Sequence, residues 1–383
     1  MAHTENKTHR YELGAILKQH AHTFLSGHTL CPVQLKAMRD IMACRTAEMK
    51  GHLVQCDRCG YREQSYNSCR NRHCNKCQFI RQAIWADKLK GRLLPGKYFH
   101  LVFTVPDSLN PLFYLNQQTC YDLLFKVAWS ALKDLCANPG FLGAQTGAVA
   151  ILHTWSSTLV YHPHVHMLVP AGGLSEDGME WTRSKEGFLV PVKVLSKIYR
   201  ARFCGQLQKM IDNGTLELPE GTEQKVLRES LFKKDWVVYA KKTGKSVDHA
   251  LEYLARYTNR VAIGNQRIVK VADEQVTFRY KDAKTGRYNR EMTLTANEFI
   301  RRFMQHILPS GFYKIRYFGI LATVNSPDKK EQCLNLIDKQ QYISELEGLN
   351  AYEAWRLISG TDPSRCKKCQ TGRMRPLLLS NTT

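Results

Sequence analysis

The stretch Tyr161-His162-Pro163-His164-Val165-His166-Met167-Leu168-Val169 narrows the choice of fold more than any other part of the chain. In a β-strand, residues two apart share a face, so His162, His164 and His166 point one way while Val165, Met167 and Val169 point the other. One face is written for a hydrophobic core. Two histidines at i and i+2, separated by an apolar residue, present two ligand nitrogens from a rigid support, which suits a metal ion. The same pattern also suits a half-buried strand with polar histidines, so the rest of the chain must discriminate.

Cysteine spacing supplies the second constraint. Cys56-Asp57-Arg58-Cys59 and Cys74-Asn75-Lys76-Cys77 are two CxxC knuckles whose separation matches one four-thiolate zinc site. Zinc there would supply folding energy that this small polar segment lacks. Cys44, His52, Cys69 and His73 lie close by and are candidates for a second, interleaved zinc site. A last pair, Cys366 and Cys369, has no neighbouring ligand in sequence and reads as a half-site or as surface cysteines.

Positive charge peaks where the cysteines do. Between Lys50 and Lys97 eleven basic residues face three acidic ones, in a chain with 55 Lys and Arg against 34 Asp and Glu. The formal charge of +21 points to a polyanion, most often nucleic acid, through phosphate neutralisation. Arg70, Arg72, Lys76 and Arg81, held on or next to the knuckles, are the natural phosphate contacts. No run reaches the roughly 18 apolar residues of a membrane span, and the N-terminus lacks a secretory layout, which places the protein in the cytosol.

Periodicity lays out the remainder. Residues 10–50 read as helical, with Pro32 opening a second helix, and another helix covers 79–93. Pro95-Gly96 marks a boundary before the strand Tyr98–Val105. Strands follow near 147–155, 158–169 and 236–240, with helices near 196–212 and 222–233. Beyond them come a hairpin of Gln275–Tyr280 with Arg290–Thr295 and helices near 296–307 and 326–340. A helix from about Val247 to Asn259 carries Tyr253 and Tyr257 four residues apart, hence on one face. Two amphipathic tyrosines at a core margin would look the same. A tyrosine is also a nucleophile, and a histidine-bound divalent metal is the Lewis acid that attack on a phosphodiester requires. Arg256, Arg260, Lys241 and Lys242 would hold the flanking phosphates.

Three segments together resemble the zinc-binding rolling-circle transposases of the insertion-sequence-91 type, members of the HUH endonuclease superfamily. They are Cys56 to Cys77 with Ser68-Cys69-Arg70-Asn71-Arg72-His73-Cys74, the strand Tyr161–Val169, and Glu252-Tyr253-Leu254-Ala255-Arg256-Tyr257-Thr258-Asn259-Arg260-Val261-Ala262-Ile263. The resemblance implies that His164 and His166 are the HUH pair, binding Mg²⁺ or Mn²⁺. It implies that Tyr253 and Tyr257 are the catalytic tyrosines, either one leaving a 5′-phosphotyrosine link and a free 3′-OH. A third metal ligand is expected from His162, His153, Gln266 or Asp248. The implied fold is α+β, a central antiparallel sheet flanked by helices, with an N-terminal helical zinc-binding domain.

The expected layout is therefore a helical, zinc-binding domain over residues 1–96, an HUH catalytic domain over 97–265, and a C-terminal α+β region over 266–383 that ends in a CxxC pair. The expected function is DNA transposition by cleavage and rejoining of single-stranded element ends and target, in the bacterial cytoplasm at the nucleoid, with structural Zn²⁺ and catalytic Mg²⁺ or Mn²⁺. A plasmid replication initiator or relaxase would share the chemistry. A non-catalytic zinc-dependent nucleic-acid-binding regulator would share the basic zinc module but not the need for His164, His166 or the tyrosines.

Overall fold

The computed structural model describes residues 11–233, 235–243, 261–282, 285–322, 326–337 and 339–377. The chain folds into two compact units, neither continuous in sequence. One comprises residues 1–85, 259–307 and 346–383; the other comprises 86–258 and 308–345. Three successive domains, expected from local composition, are not how the contacts divide. The reason is long-range pairing: late segments return to complete sheets begun early, a relation invisible to local periodicity.

In the second unit five strands form one antiparallel sheet in the order Ile315–Gly319, Gly147–Trp155, Tyr161–Pro170, Tyr98–Thr104, Val238–Lys242. The histidine strand is the middle one. Its alternation continues in both neighbours, because the core face collects Phe99, Leu101 and Phe103 on one side and Ala148, Ala150 and Leu152 on the other, with Val165, Met167 and Val169 between them. Helices Gln117–Ala137 and Val192–Asp212 bring apolar stripes to the same core, including Leu124, Val127, Ala131, Tyr199 and Phe203. Each aromatic or aliphatic side chain so buried contributes about 1.5–3 kcal/mol.

Pro163 lies within this central strand although it has no N–H to give a ladder. The register absorbs it. From Trp155↔Tyr161 to His153↔His164 the histidine strand advances three residues against two, a bulge in the pairing, while burial still alternates from Tyr161 to Val165.

The first unit is built on smaller sheets. Strand Gly51–Cys56 pairs with Arg62–Tyr66 on one side and Met374–Pro376 on the other. Strands Ile268–Ala272, Gln275–Tyr280 and Arg290–Thr295 form a second antiparallel sheet, so the expected hairpin is present. Helix Ala296–Met304 starts at Thr295, whose hydroxyl caps Glu298 N–H, and buries Phe299, Ile300, Phe303 and Met304. Helices Leu13–Gly27 and Pro32–Ala43 belong here too, and Gln34 Nε2 donates to the Met304 carbonyl at 2.9 Å. Among the described residues no helix is long and apolar enough to cross a membrane.

Phe103 is fully buried and meets Tyr199 edge-on at 5.2 Å between ring centroids. Phe103→Ala is expected to destabilise the sheet-bearing unit by about 3–5 kcal/mol, read from chemical denaturation. A loss below about 1 kcal/mol would mean that this face of the sheet is not the core.

Candidate metal centres and catalytic face

The face of the sheet opposite the core carries the histidines. His153 is the direct cross-strand partner of His164, and the ligand atoms of His153, His164 and His166 all lie within 4.8 Å of one another. His153 and His166 are buried, while His164 is half-buried. His164 Nδ1 lies 2.7 Å from the His162 carbonyl oxygen. A carbonyl only accepts, so Nδ1 carries the proton and Nε2 keeps its lone pair for a ligand. His166 Nδ1 lies 2.8 Å from His100 Nε2, and when Nδ1–H is the donor of that bond the His166 Nε2 lone pair is likewise available.

Burial decides the charge state. Removal from water pushes His164 down to about 4 and His166 well below its usual value, the latter helped by the proximity of His153, His164 and His100. His100 is pushed down to about 3 by the same burial. His164, His166 and His100 are therefore neutral at ordinary pH, the form in which imidazole binds a metal.

Of the four side chains expected as third ligand, His153 is the one brought to the pair. His162 is half-buried with its ring 5.2 Å from that of His164, and it stands outside the cluster. Gln266 is exposed, and Asp248 lies outside the described residues. His100 escaped the sequence reading altogether. The alternation of Tyr98–Thr104 was its available signal, since it puts His100 on the face away from Phe99 and Leu101.

The thiols form two groups, and they correct the expected pairing. Cys44, Cys69, Cys74 and Cys77 converge in one; Cys56, Cys59, Cys366 and Cys369 converge in the other. The two CxxC knuckles do not share an ion site. Cys56 and Cys59 lie at the closed end of the hairpin formed by Gly51–Cys56 and Arg62–Tyr66, whereas Cys74 and Cys77 immediately precede helix Gln78–Arg92 and meet Cys44 at the end of helix Pro32–Ala43. Cys77 Sγ is 3.5 Å from Cys44 Sγ and 3.7 Å from Cys69 Sγ. His52 and His73 belong to neither group: His52 is exposed on its strand opposite Ser65, and the His73 N–H bonds Asn71 Oδ1 at 2.9 Å. Contact with Cys69 and Cys74 pulls the Cys44 thiol down to about 7 and contacts with Cys44, Cys69 and Cys74 lower Cys77, while contact with Cys44 raises Cys69 and Cys74. Four sulfurs this close are the donor set that zinc takes.

A family model described as "Transposase zinc-binding domain" matches residues 16–105, and one described as "Putative transposase" matches residues 147–330. The "Putative transposase y4qJ" of Sinorhizobium fredii (strain NBRC 101917 / NGR234) is 39% identical over 373 residues, covering 95% of this chain and 94% of that protein. The "Transposase for insertion sequence element IS801" of Pseudomonas savastanoi pv. phaseolicola is 29% identical over 301 residues, 76% of this chain and 70% of that protein. This chain belongs to the insertion-sequence-91 type of zinc-binding transposases. No solved structure matches it significantly.

The stretch of the transposase matched by the zinc-binding model contains Cys44, Cys69, Cys74 and Cys77 but stops far short of Cys366. Around that thiol group Arg70 and Arg81 are exposed, with Arg81 donating to the Arg70 carbonyl at 3.1 Å. Arg72 is half-buried, and Lys76 is tied to Glu12 by a 2.6 Å ion pair. In the sheet-bearing unit of the transposase, Lys241 is exposed and pairs in register with His100, while Lys242 meets Glu186 at 3.2 Å. Tyr253, Tyr257, Arg256 and Arg260 lie outside the described residues.

The regrouping of the thiols has a direct test in zinc content. Cys44→Ala is expected to remove one zinc ion per chain, as Cys77→Ala does, and the double variant is expected to lose no more than either. If Cys44→Ala kept the full count while Cys77→Ala did not, the grouping would be wrong.

Proposed function

We infer that this transposase cuts and rejoins single-stranded DNA through a 5′-phosphotyrosine intermediate in the rolling-circle manner. The observation that carries this reading is the convergence of His153, His164 and His166 on the non-core face of a central antiparallel strand. Three imidazoles whose ligand atoms lie within 4.8 Å of one another make a cation clamp. An all-nitrogen donor set suits Mn²⁺ better than Mg²⁺, which prefers oxygen ligands. A divalent cation held there supplies a Lewis acid for the charge that grows on the phosphate oxygens.

Tyr253 or Tyr257 supplies the nucleophile. The phenolic oxygen gives up its proton and forms a bond to phosphorus, the bond from phosphorus to the 3′ oxygen breaks, and that oxygen takes up a proton in exchange and leaves as a 3′-OH. Attack by a 3′-OH on the phosphotyrosine runs the same exchange backwards and frees the tyrosine. One phosphodiester is exchanged for another, so no external energy source is needed. Two tyrosines permit a second strand to be cut before the first is released. Lys241, Arg256 and Arg260 are proposed to hold the flanking phosphates, with Arg70, Arg72 and Arg81 contacting DNA from the zinc-binding domain, and Lys76 joining them where Glu12 yields its ion pair. Such a protein works in the bacterial cytoplasm, at the nucleoid.

Incubation with Mn²⁺ and a single-stranded oligonucleotide carrying the element's end is expected to give a covalent protein–DNA adduct. Tyr253→Phe combined with Tyr257→Phe should abolish it, and an adduct that persists in that double variant would sink the mechanism. His164→Ala and His153→Ala should each slow adduct formation by on the order of 100-fold or more, the loss of several kcal/mol of charge stabilisation. Full activity in His153→Ala would remove it from the metal centre.

A further inference from the structure

Cys56, Cys59, Cys366 and Cys369 form a complete four-thiolate constellation that the zinc-binding family match, ending at residue 105, does not contain. We propose that these four residues hold a second structural zinc ion, which clasps the segment around residues 362–376 onto the N-terminal hairpin. The inference is independent of the catalytic reading.

Geometry is the first support. Cys56 Sγ lies 3.7 Å from Cys369 Sγ, and Cys59 Sγ lies 3.7 Å from Cys366 Sγ. Four sulfurs placed tetrahedrally about 2.3 Å from a zinc ion are about 3.8 Å apart.

The second support is that two knuckles more than 300 residues apart are built alike. In the first, Gly60 N–H donates to the Cys56 carbonyl at 3.2 Å, and the Arg58 N–H points at Cys56 Sγ at 3.4 Å. In the second, Gln370 N–H donates to the Cys366 carbonyl at 3.1 Å, and the Lys368 N–H points at Cys366 Sγ at 3.4 Å. The residue after the second cysteine is left-handed in both, with φ of 69° at Gly60 and 59° at Gln370. Gln370 adopts this conformation without being glycine, a cost that the knuckle imposes. Cys369 Sγ accepts further hydrogen bonds from Gly372 N–H at 3.3 Å and Thr371 Oγ1 at 3.5 Å. N–H donors aimed at sulfur stabilise thiolate over thiol.

Packing and charge agree. A Cβ on Gly372 would stand 2.4 Å from Cys56 Sγ, so this glycine permits the closure of the two knuckles. Four thiolates with one zinc ion leave two negative charges; Arg58 and Lys368 lie between the ligands to offset them, beside Asp57 and a Lys367 that is paired with Glu63 at 2.6 Å. Asp57 reinforces the join, accepting from Arg373 N–H at 2.8 Å while its own N–H donates to the Arg373 carbonyl at 3.0 Å. From there Met374–Pro376 runs as a strand along Gly51–Cys56.

The test counts thiolate-bound zinc in the full chain, released by an organomercurial so that ions on imidazoles do not enter. Wild type is expected to give two ions. Cys366→Ser with Cys369→Ser should give one, Cys56→Ser with Cys59→Ser should give one, and all four together should still give one. In the Cys366/Cys369 double variant, trypsin should also cut after Lys367, Lys368 or Arg373 well before it attacks the wild type, while the circular dichroism of the remainder stays unchanged. A wild-type count of one ion, two pairwise disulfides in place of free thiols, or an unchanged count in either double variant would overturn the proposal.

Discussion

The pleat of one strand is the constraint on which the sheet-bearing unit depends. Tyr161–Pro170 lies in the middle of five strands and therefore has partners on both edges and packing on its core face. Val165, Met167 and Val169 are driven into that core by the hydrophobic effect, and the alternation then forces His164 and His166 to the opposite face. A slip of one residue would exchange the two sets. The position of the imidazoles is thus fixed by apolar side chains that never touch them.

That arrangement has an electrostatic consequence. His100, His153 and His166 are buried close together, so protonating any of them means placing charge in a poorly solvated place beside other imidazoles. His100 and His166 stay neutral, which prepares the site for a cation rather than for proton transfer. The His162 carbonyl fixes the tautomer of His164, and His100 meets the Nδ1 of His166. Backbone and second-rank side chains therefore aim the nitrogens that the strand presents.

The N-terminal hairpin of the other unit is held differently. Its strands Gly51–Cys56 and Arg62–Tyr66 are largely exposed, with little apolar surface to bury. Sulfur ligands take the place of a core there. Cys44 links the end of a helix to the loop of Cys69, Cys74 and Cys77, while Cys56 and Cys59 face partners from the far end of the chain. Held this way, a short polar segment can present arginines on a firm support, which suits contact with phosphate.

Local patterns in the sequence were enough to determine the strand alternation around His164 and His166, the helices opening near Leu13 and at Pro32, the hairpin of Gln275–Tyr280 with Arg290–Thr295, and the metal-binding character of the first two CxxC pairs, though not of Cys366 and Cys369. All of these depend on residues within a few positions of each other, where the helix and strand periods and the tight turn of a knuckle act. Which groups meet across the chain was decided by tertiary structure alone. His153 joins His164 because two strands pair in one register, while His162 stays outside the group. Cys74 and Cys77 join Cys44 and Cys69, and Cys56 and Cys59 join Cys366 and Cys369, because sheet pairing and helix ends bring distant residues within a few ångströms. Spacing along a chain restricts what a residue's neighbours can do; it carries no information about a partner 300 residues away until the fold has closed the loop.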